Sequence, residues 1–88
     1  MKELRIFYFA PLRHIAGTGE ETRTSAADTP RQLYGELAHQ YGFTVPTEKL
    51  RVYLNGELAG WNVELREGDE VTFLPVTVVP GKETPVPE

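Results

Sequence analysis

The chain has 88 residues, 40% of them hydrophobic, no cysteine and a formal net charge of −4 at pH 7. This is one domain, apolar enough to order but too small for a deep private active site, because such a chain buries only about 60% of its unfolded surface. The acidic balance and nine basic residues with no two adjacent exclude a nucleic-acid footprint. The missing cysteines exclude disulfides, thiolate metal sites and cysteine nucleophiles.

Lys2 to Phe9 reads as the first strand, with Leu4, Ile6 and Tyr8 on one face and Arg5, Phe7 and Phe9 on the other. Neither a secretory leader nor a membrane-length apolar run is expected, so the expected compartment is the cytoplasm. Pro11 ends the strand, and Leu12 to Ala16 fit a short helical turn before Gly17 and Gly19. Glu20 to Ser25 alternates charge with threonine and reads as an edge strand kept soluble by charge, Glu20 and Glu21 included.

The clearest helix signal follows. Thr29 stands at the N-cap, Pro30 at N1 and Gln32 at N3, a Thr-x-x-Gln capping box. Leu33, Leu37 and Tyr41 form a stripe that Tyr34 and Ala38 widen, and Gly42 is the stop. Gly35 costs roughly 1 kcal/mol against alanine in mid-helix, and close packing of helix on sheet is the expected reason for it.

Leu50 to Leu54 reads as a core strand with Val52 and Leu54 on one side, and Asn55-Gly56 is the strongest short hairpin signal in the chain. Leu58 lies on the return strand. Gly60-Trp61 opens an irregular crossing that Val63 and Leu65 fix to the core. Glu67-Gly68-Asp69 is a turn, and Glu70 to Leu74 is the last strand, with Val71 and Phe73 inward. Pro75 ends it. Residues 76–88, with Pro80, Pro85 and Pro87, read as an extended tail. The division is a domain over 1–75 and a tail over 76–88.

Strand, strand, helix, strand, short strand, strand is the order of an α+β, ubiquitin-like β-grasp, a mixed sheet of four or five strands on one main helix. The first and last strands are then parallel neighbours in mid-sheet. Alternation puts Phe7, Phe9, Tyr53 and Leu74 on the face that the helix does not cover, and an apolar patch of this kind marks a protein interface.

No residue constellation reads as catalytic. His14 and His39 lack ligand-spaced companions, Ser25 lacks a nucleophile-elbow context, and Gly17-x-Gly19 is too short to cradle a phosphate. Glu67 and Asp69 are explained by turn chemistry. No metal and no cofactor is expected.

Two stretches resemble a known family. Leu4-Arg5-Ile6-Phe7-Tyr8-Phe9-Ala10, followed by Leu12-Arg13 and Gly17-Thr18, is similar to the start of the small subunit of molybdopterin synthase. Leu65-x-x-Gly68-Asp69-Glu70-Val71-x-Phe73-x-Pro75-Val76-Thr77 is similar to its end. The group is the MoaD/ThiS sulfur carriers, relatives of ubiquitin. The resemblance implies a carrier whose Gly-Gly terminus is adenylated by a partner and becomes a thiocarboxylate, the sulfur donor for molybdopterin or thiamine synthesis. In this chain the glycine pair would fall at Val78-Val79, and Gly81 is the tail's one glycine.

Three explanations stand: trimming after Gly81, a relative that lost carrier chemistry but kept the docking surface, or a pathway that dispenses with the pair. The reading favoured is a non-enzymatic MoaD/ThiS-like protein. It docks through Phe7, Phe9, Tyr53 and Leu74 and through the tail residues Pro75, Val76, Thr77, Val78, Val79, Pro80 and Gly81. The expected partner is a molybdopterin-synthase-like large subunit, an adenylating enzyme or an oxidoreductase, with no nucleic acid and no membrane. The alternatives are a sulfur carrier processed near Gly81 and a domain that associates with its own copies.

Overall fold

The computed structural model describes residues 1–9 and 11–76. Five strands and two helices follow in the order β1 (Lys2–Tyr8), α1 (Leu12–Ala16), β2 (Glu20–Ser25), α2 (Pro30–Tyr41), β3 (Leu50–Leu54), β4 (Glu57–Ala59) and β5 (Glu70–Pro75), with a 3₁₀ turn at Thr47–Lys49 before β3. The sheet order is β2-β1-β5-β3-β4. β1 and β5 run parallel at its centre, with Tyr8 level with Phe73, and the other pairs are antiparallel. This is the β-grasp expected from the element order.

Local chemistry sets the ends of α2. Thr29 Oγ1 accepts the Gln32 N–H at 3.2 Å. The Gln32 side chain reaches back one residue further than a capping box requires and accepts the Asp28 N–H at 2.7 Å. Gly42 ends the helix at φ 79°, a left-handed conformation that glycine adopts without strain. The hairpin between β3 and β4 has Asn55 at φ 53° and Gly56 at φ 87°, two successive left-handed residues as a type I′ turn requires.

One face of the sheet packs on α2. Leu4, Ile6, Val52, Val71 and Phe73 meet Leu33, Tyr34 and Leu37, all buried. An aromatic group fills the end of this core. Phe73 lies 5.4 Å from Tyr34 and 5.8 Å from Trp61 between ring centres, and Phe43 stacks on Tyr34 at 5.8 Å. The crossing between β4 and β5 is fixed by Leu65, which is buried, and by Trp61; Val63 lies only half-buried and outside the core, unlike the sequence expectation. Two backbone bonds hold the crossing to the start of α2, Arg31 N–H to Trp61 O at 2.9 Å and Leu65 N–H to Asp28 O at 2.8 Å.

Gly35 also departs from expectation. It is exposed, and a Cβ placed on it would meet nothing within 4 Å. Close packing does not explain it, so Gly35→Ala is expected to stabilise the fold by about 0.5–1 kcal/mol, read as a higher urea midpoint with an unchanged slope. An unchanged or lower midpoint would mean that this helix position carries a constraint beyond its backbone.

The helix-free groove and the exit of the tail

The helix-free face of the sheet is a lattice set by strand register. One row runs Leu58, Tyr53, Thr72, Phe7, Glu20 across β4, β3, β5, β1 and β2. In the next row, Arg51 is level with Leu74, and Phe9 follows directly after the end of β1. On the other side Glu70 is level with Arg5, and Arg5 with Thr22. The face therefore grades from charged to apolar. At its charged end Arg5 bridges Glu70 at 3.3 Å and Glu20 at 3.6 Å. At its apolar end lies a groove of about 300 Å³ lined by Phe7, Phe9, Tyr53, Gly56, Glu70, Thr72 and Leu74.

Four residues expected to share this face, Phe7, Phe9, Tyr53 and Leu74, do line one groove. Their exposure differs. Phe9 is 45% exposed, Phe7 and Tyr53 are half-buried, and Leu74 is only 2% exposed. The expectation of an exposed Leu74 is corrected. It sits on the central strand, with β1 and β3 shading it on both sides, and forms the floor of the groove rather than its rim. Thr72, Glu70 and Gly56 belong to the lining as well. The alternation that placed Leu74 on this face also places Thr72 and Glu70 there.

Strand β5 leads out of the groove. Pro75 is level with Leu50, and pairing continues one residue past the proline, where the Val76 N–H donates to Lys49 O at 3.0 Å. Both Pro75 and Val76 are half-buried. Thr77, Val78, Val79, Pro80 and Gly81 lie outside the described residues.

A second polar cluster sits between β2 and α2, on the opposite face. The Glu21 carboxylate accepts from Tyr8 Oη at 3.1 Å, from Arg23 Nε at 3.0 Å and from Tyr41 Oη. Arg23 also reaches Glu36 at 3.3 Å and the side chain of Gln40. Ser25 is buried; it donates to Glu36 at 2.6 Å and accepts the Ala27 N–H. Glu21 is thus not a solvated edge charge, as the sequence suggested, because its place in β2, level with Ile6, turns it toward the helix. With three donors on one carboxylate, the cluster braces the sheet edge against α2.

Burial would raise the Glu21 carboxyl, but the hydrogen bonds from Tyr41, Arg23 and Tyr8 outweigh it and hold it below its ordinary range. Burial, followed by the charge of Glu21, pushes the Tyr8 phenol far up; its bond to Glu21 raises Tyr41 as well. The two signs give opposite pH limbs. The contribution of Glu21 is complete above its unfolded pKa and is lost as pH falls through the lower folded value. The contributions of Tyr8 and Tyr41 are complete below their ordinary value of 10.0 and are lost as pH rises beyond it. The melting temperature should therefore stay level from about pH 5 to about pH 9 and fall on either side. Tyr8→Phe should cost about 1 kcal/mol at neutral pH and soften the alkaline fall. Melts across this range would contradict the brace if neither Tyr8→Phe nor Tyr41→Phe altered that limb.

His14 and His39 are exposed, and among the described residues no group of three His, Cys, Asp or Glu side chains is placed to hold a metal ion. Among the described residues no helix is long and apolar enough to cross a membrane. Glu67 and Asp69 act in the turn: Asp69 accepts the Arg66 N–H at 2.8 Å and Glu67 accepts the Glu3 N–H at 3.0 Å.

A model of the ThiS family matches residues 6–78. Among solved structures, the chain is similar to small archaeal modifier protein 1 of Haloferax volcanii, at 21% identity and a TM-score of 0.72, covering 85% of this chain and 98% of that one. It is also similar to a protein described as molybdopterin converting factor subunit 1 from Pyrococcus furiosus, at 24% identity and a TM-score of 0.69, covering 85% and 98%. A chain of the Amycolatopsis orientalis BexX/CysO complex matches at 24% identity and a TM-score of 0.64, covering 90% and 99%. At these identities the likeness to solved structures is one of fold. No curated protein sequence matches.

Proposed function

We propose, from the premise that the chain belongs to the ThiS family of small ubiquitin-like carrier proteins, that it acts by docking without covalent chemistry of its own on a partner enzyme. The docking surface is the groove of Phe7, Phe9, Tyr53 and Leu74 together with the tail from Pro75 to Gly81. The observation that carries this reading is continuity. The apolar end of the helix-free face is also the end at which β5 hands the chain to its tail, past Val76. A partner that grips the tail meets the groove next.

The affinity comes from apolar burial at about 25 cal/mol per Å², less the ordering of the tail and of the aromatic side chains. The partner class is a molybdopterin-synthase-like large subunit, an adenylating enzyme or an oxidoreductase, and the setting is the cytoplasm. A relative of this fold is found in a complex, that of BexX and CysO, which supports a protein as the occupant.

A second reading is a sulfur carrier. The family match runs through residue 78, into the segment where the carrier chemistry of the family resides. In that reading the chain is cut after Gly81 and its new carboxyl end accepts sulfur. The intact mass of the protein from its native cells, measured with whatever co-purifies, separates the two. A chain ending at Glu88 bound to an enzyme supports docking. A chain ending at Gly81 with one terminal oxygen replaced by sulfur overturns it in favour of the carrier.

A further inference from the structure

We infer that the partner segment seated on the groove is acidic: an extended stretch with an apolar side chain over Leu74 and a carboxylate on either side, received by Arg13 and Arg51. This rests on the docking reading above and adds the chemistry of the occupant.

The distribution of ion pairs carries it. Lys2, Arg5, Arg23 and Arg66 each pair with a carboxylate, whereas Arg13, Arg31, Lys49 and Arg51 have no ion-pair partner among the described residues. Arg31 opens α2, against Trp61 and Asn62. The other three border the apolar end of the helix-free face. Arg51 is exposed and level with Leu74. Lys49 O accepts the Val76 N–H where β5 leaves the sheet. The Arg13 N–H donates to Phe9 O at 3.0 Å, and Arg13 shares with Phe7 and Phe9 a cavity that adjoins the groove. Its side chain runs along Gly19, where a Cβ would stand 3.5 Å from Nε. That keeps it beside β1, whose Tyr8 N–H is bonded to Gly19 O.

The carboxylates nearby do not cancel this charge. Glu20 and Glu70 are both held by Arg5. Glu48 stands next to Lys49 and offsets it, which leaves Arg13 and Arg51 as two uncompensated guanidinium groups in a chain of net charge −4. Two isolated groups do not make a track for a phosphate backbone. Between them lies an aromatic groove with an apolar floor, so the fitting ligand has an apolar anchor and flanking carboxylates, which a guanidinium fork receives in a planar pair.

Spacing agrees. Arg51 belongs to β3 and Arg13 stands beside β1, with β5 between them; two steps across a sheet are about 10 Å. In an extended segment lying across the strands, the residues two before and two after the anchor are about 13 Å apart. Pairs of this exposed kind add selectivity and speed of encounter more than affinity.

The probe is the peptide acetyl-Gly-Glu-Ala-Leu-Ala-Glu-Gly-amide, titrated at low salt into the full, isotopically labelled chain and compared with the same peptide carrying Gln for Glu. Chemical shifts are expected to change at Phe7, Phe9, Tyr53 and Leu74 with both, and binding of the Glu peptide is expected to be about tenfold tighter. Arg13→Gln and Arg51→Gln should each weaken the Glu peptide about threefold and leave the Gln peptide unchanged. Arg31→Gln, which makes the same change in net charge away from the groove, should do neither. Equal binding of the two peptides at the groove overturns the inference and leaves the docking reading standing. Shifts at the groove from neither peptide count against both. Shifts confined to the arginines and reproduced by inorganic phosphate also overturn it, as attraction of any anion.

Discussion

Replacing Phe73 by alanine is expected to cost about 3–5 kcal/mol and to leave much of the protein unfolded at physiological temperature. Phe73 is fully buried on the central strand, between the rings of Tyr34 and Trp61. Truncation removes the common neighbour of a ring from α2 and a ring from the crossing, and neither can close the gap without leaving its own anchor. Tyr34 is tied by its hydroxyl to Val45 O at 2.6 Å, and Trp61 by its carbonyl to the Arg31 N–H at 2.9 Å. At about 0.05–0.15 kcal/mol per residue a domain of this size has some 4–13 kcal/mol in total, so the loss is a large share of it. Urea unfolding should show a much lower midpoint, and Phe73→Leu should recover more than half of the difference. A loss below about 1 kcal/mol would mean that the aromatic end of the core collapses freely.

Phe9→Asp is expected to weaken partner binding by about 2 kcal/mol or more, roughly 30-fold, while the fold stays intact. Phe9 is the most exposed apolar member of the groove at 45%, beyond the last ladder residue of β1 and outside the packed core. Substitution there removes little buried area in the free protein, and it places a charge where a docked partner excludes water. Ile15→Asp is the control. Ile15 is similarly exposed, at 38%, but belongs to α1 and does not line the groove. Titration calorimetry with the co-purified partner should show a large loss for Phe9→Asp and none for Ile15→Asp. Equal losses would relocate the docking surface; no loss in either would remove the groove from it.

The fold was legible where a residue's meaning is local. Thr29, Pro30 and Gly42 mark both ends of α2, Asn55-Gly56 marks the hairpin, and the alternation of Leu4, Ile6 and Tyr8 with Arg5 and Phe7 fixes which face of β1 is inside. What was not legible depends on neighbours brought from far along the chain. Leu74 was assigned to the correct face, but its shading by two flanking strands requires the sheet order. Glu21 looks like a solubilising edge charge until register places it level with Ile6 and under Tyr41. Its parity was the available signal: Glu21, Arg23 and Ser25 share one side of β2, and that side is the buried one of its partner strand. Gly35 suggested close packing because mid-helix glycine often has that cause, and only the empty space beside it shows otherwise.

The sheet is joined at its centre by the two strands farthest apart in the chain, Arg5 being level with Glu70. During synthesis β1–β2 and β3–β4 are each complete as local pairs before β5 exists, and nothing else in the sheet connects them. The β3–β4 half alone is a two-stranded ribbon, which is marginal at best in water, and the β1–β2 half with α2 lacks Val71 and Phe73 of β5, which complete its core. The nascent chain therefore stays unfolded until residues 70–75 have cleared the ribosomal tunnel. Folding is then one late event, slowed by the need to close a loop of most of the chain's length.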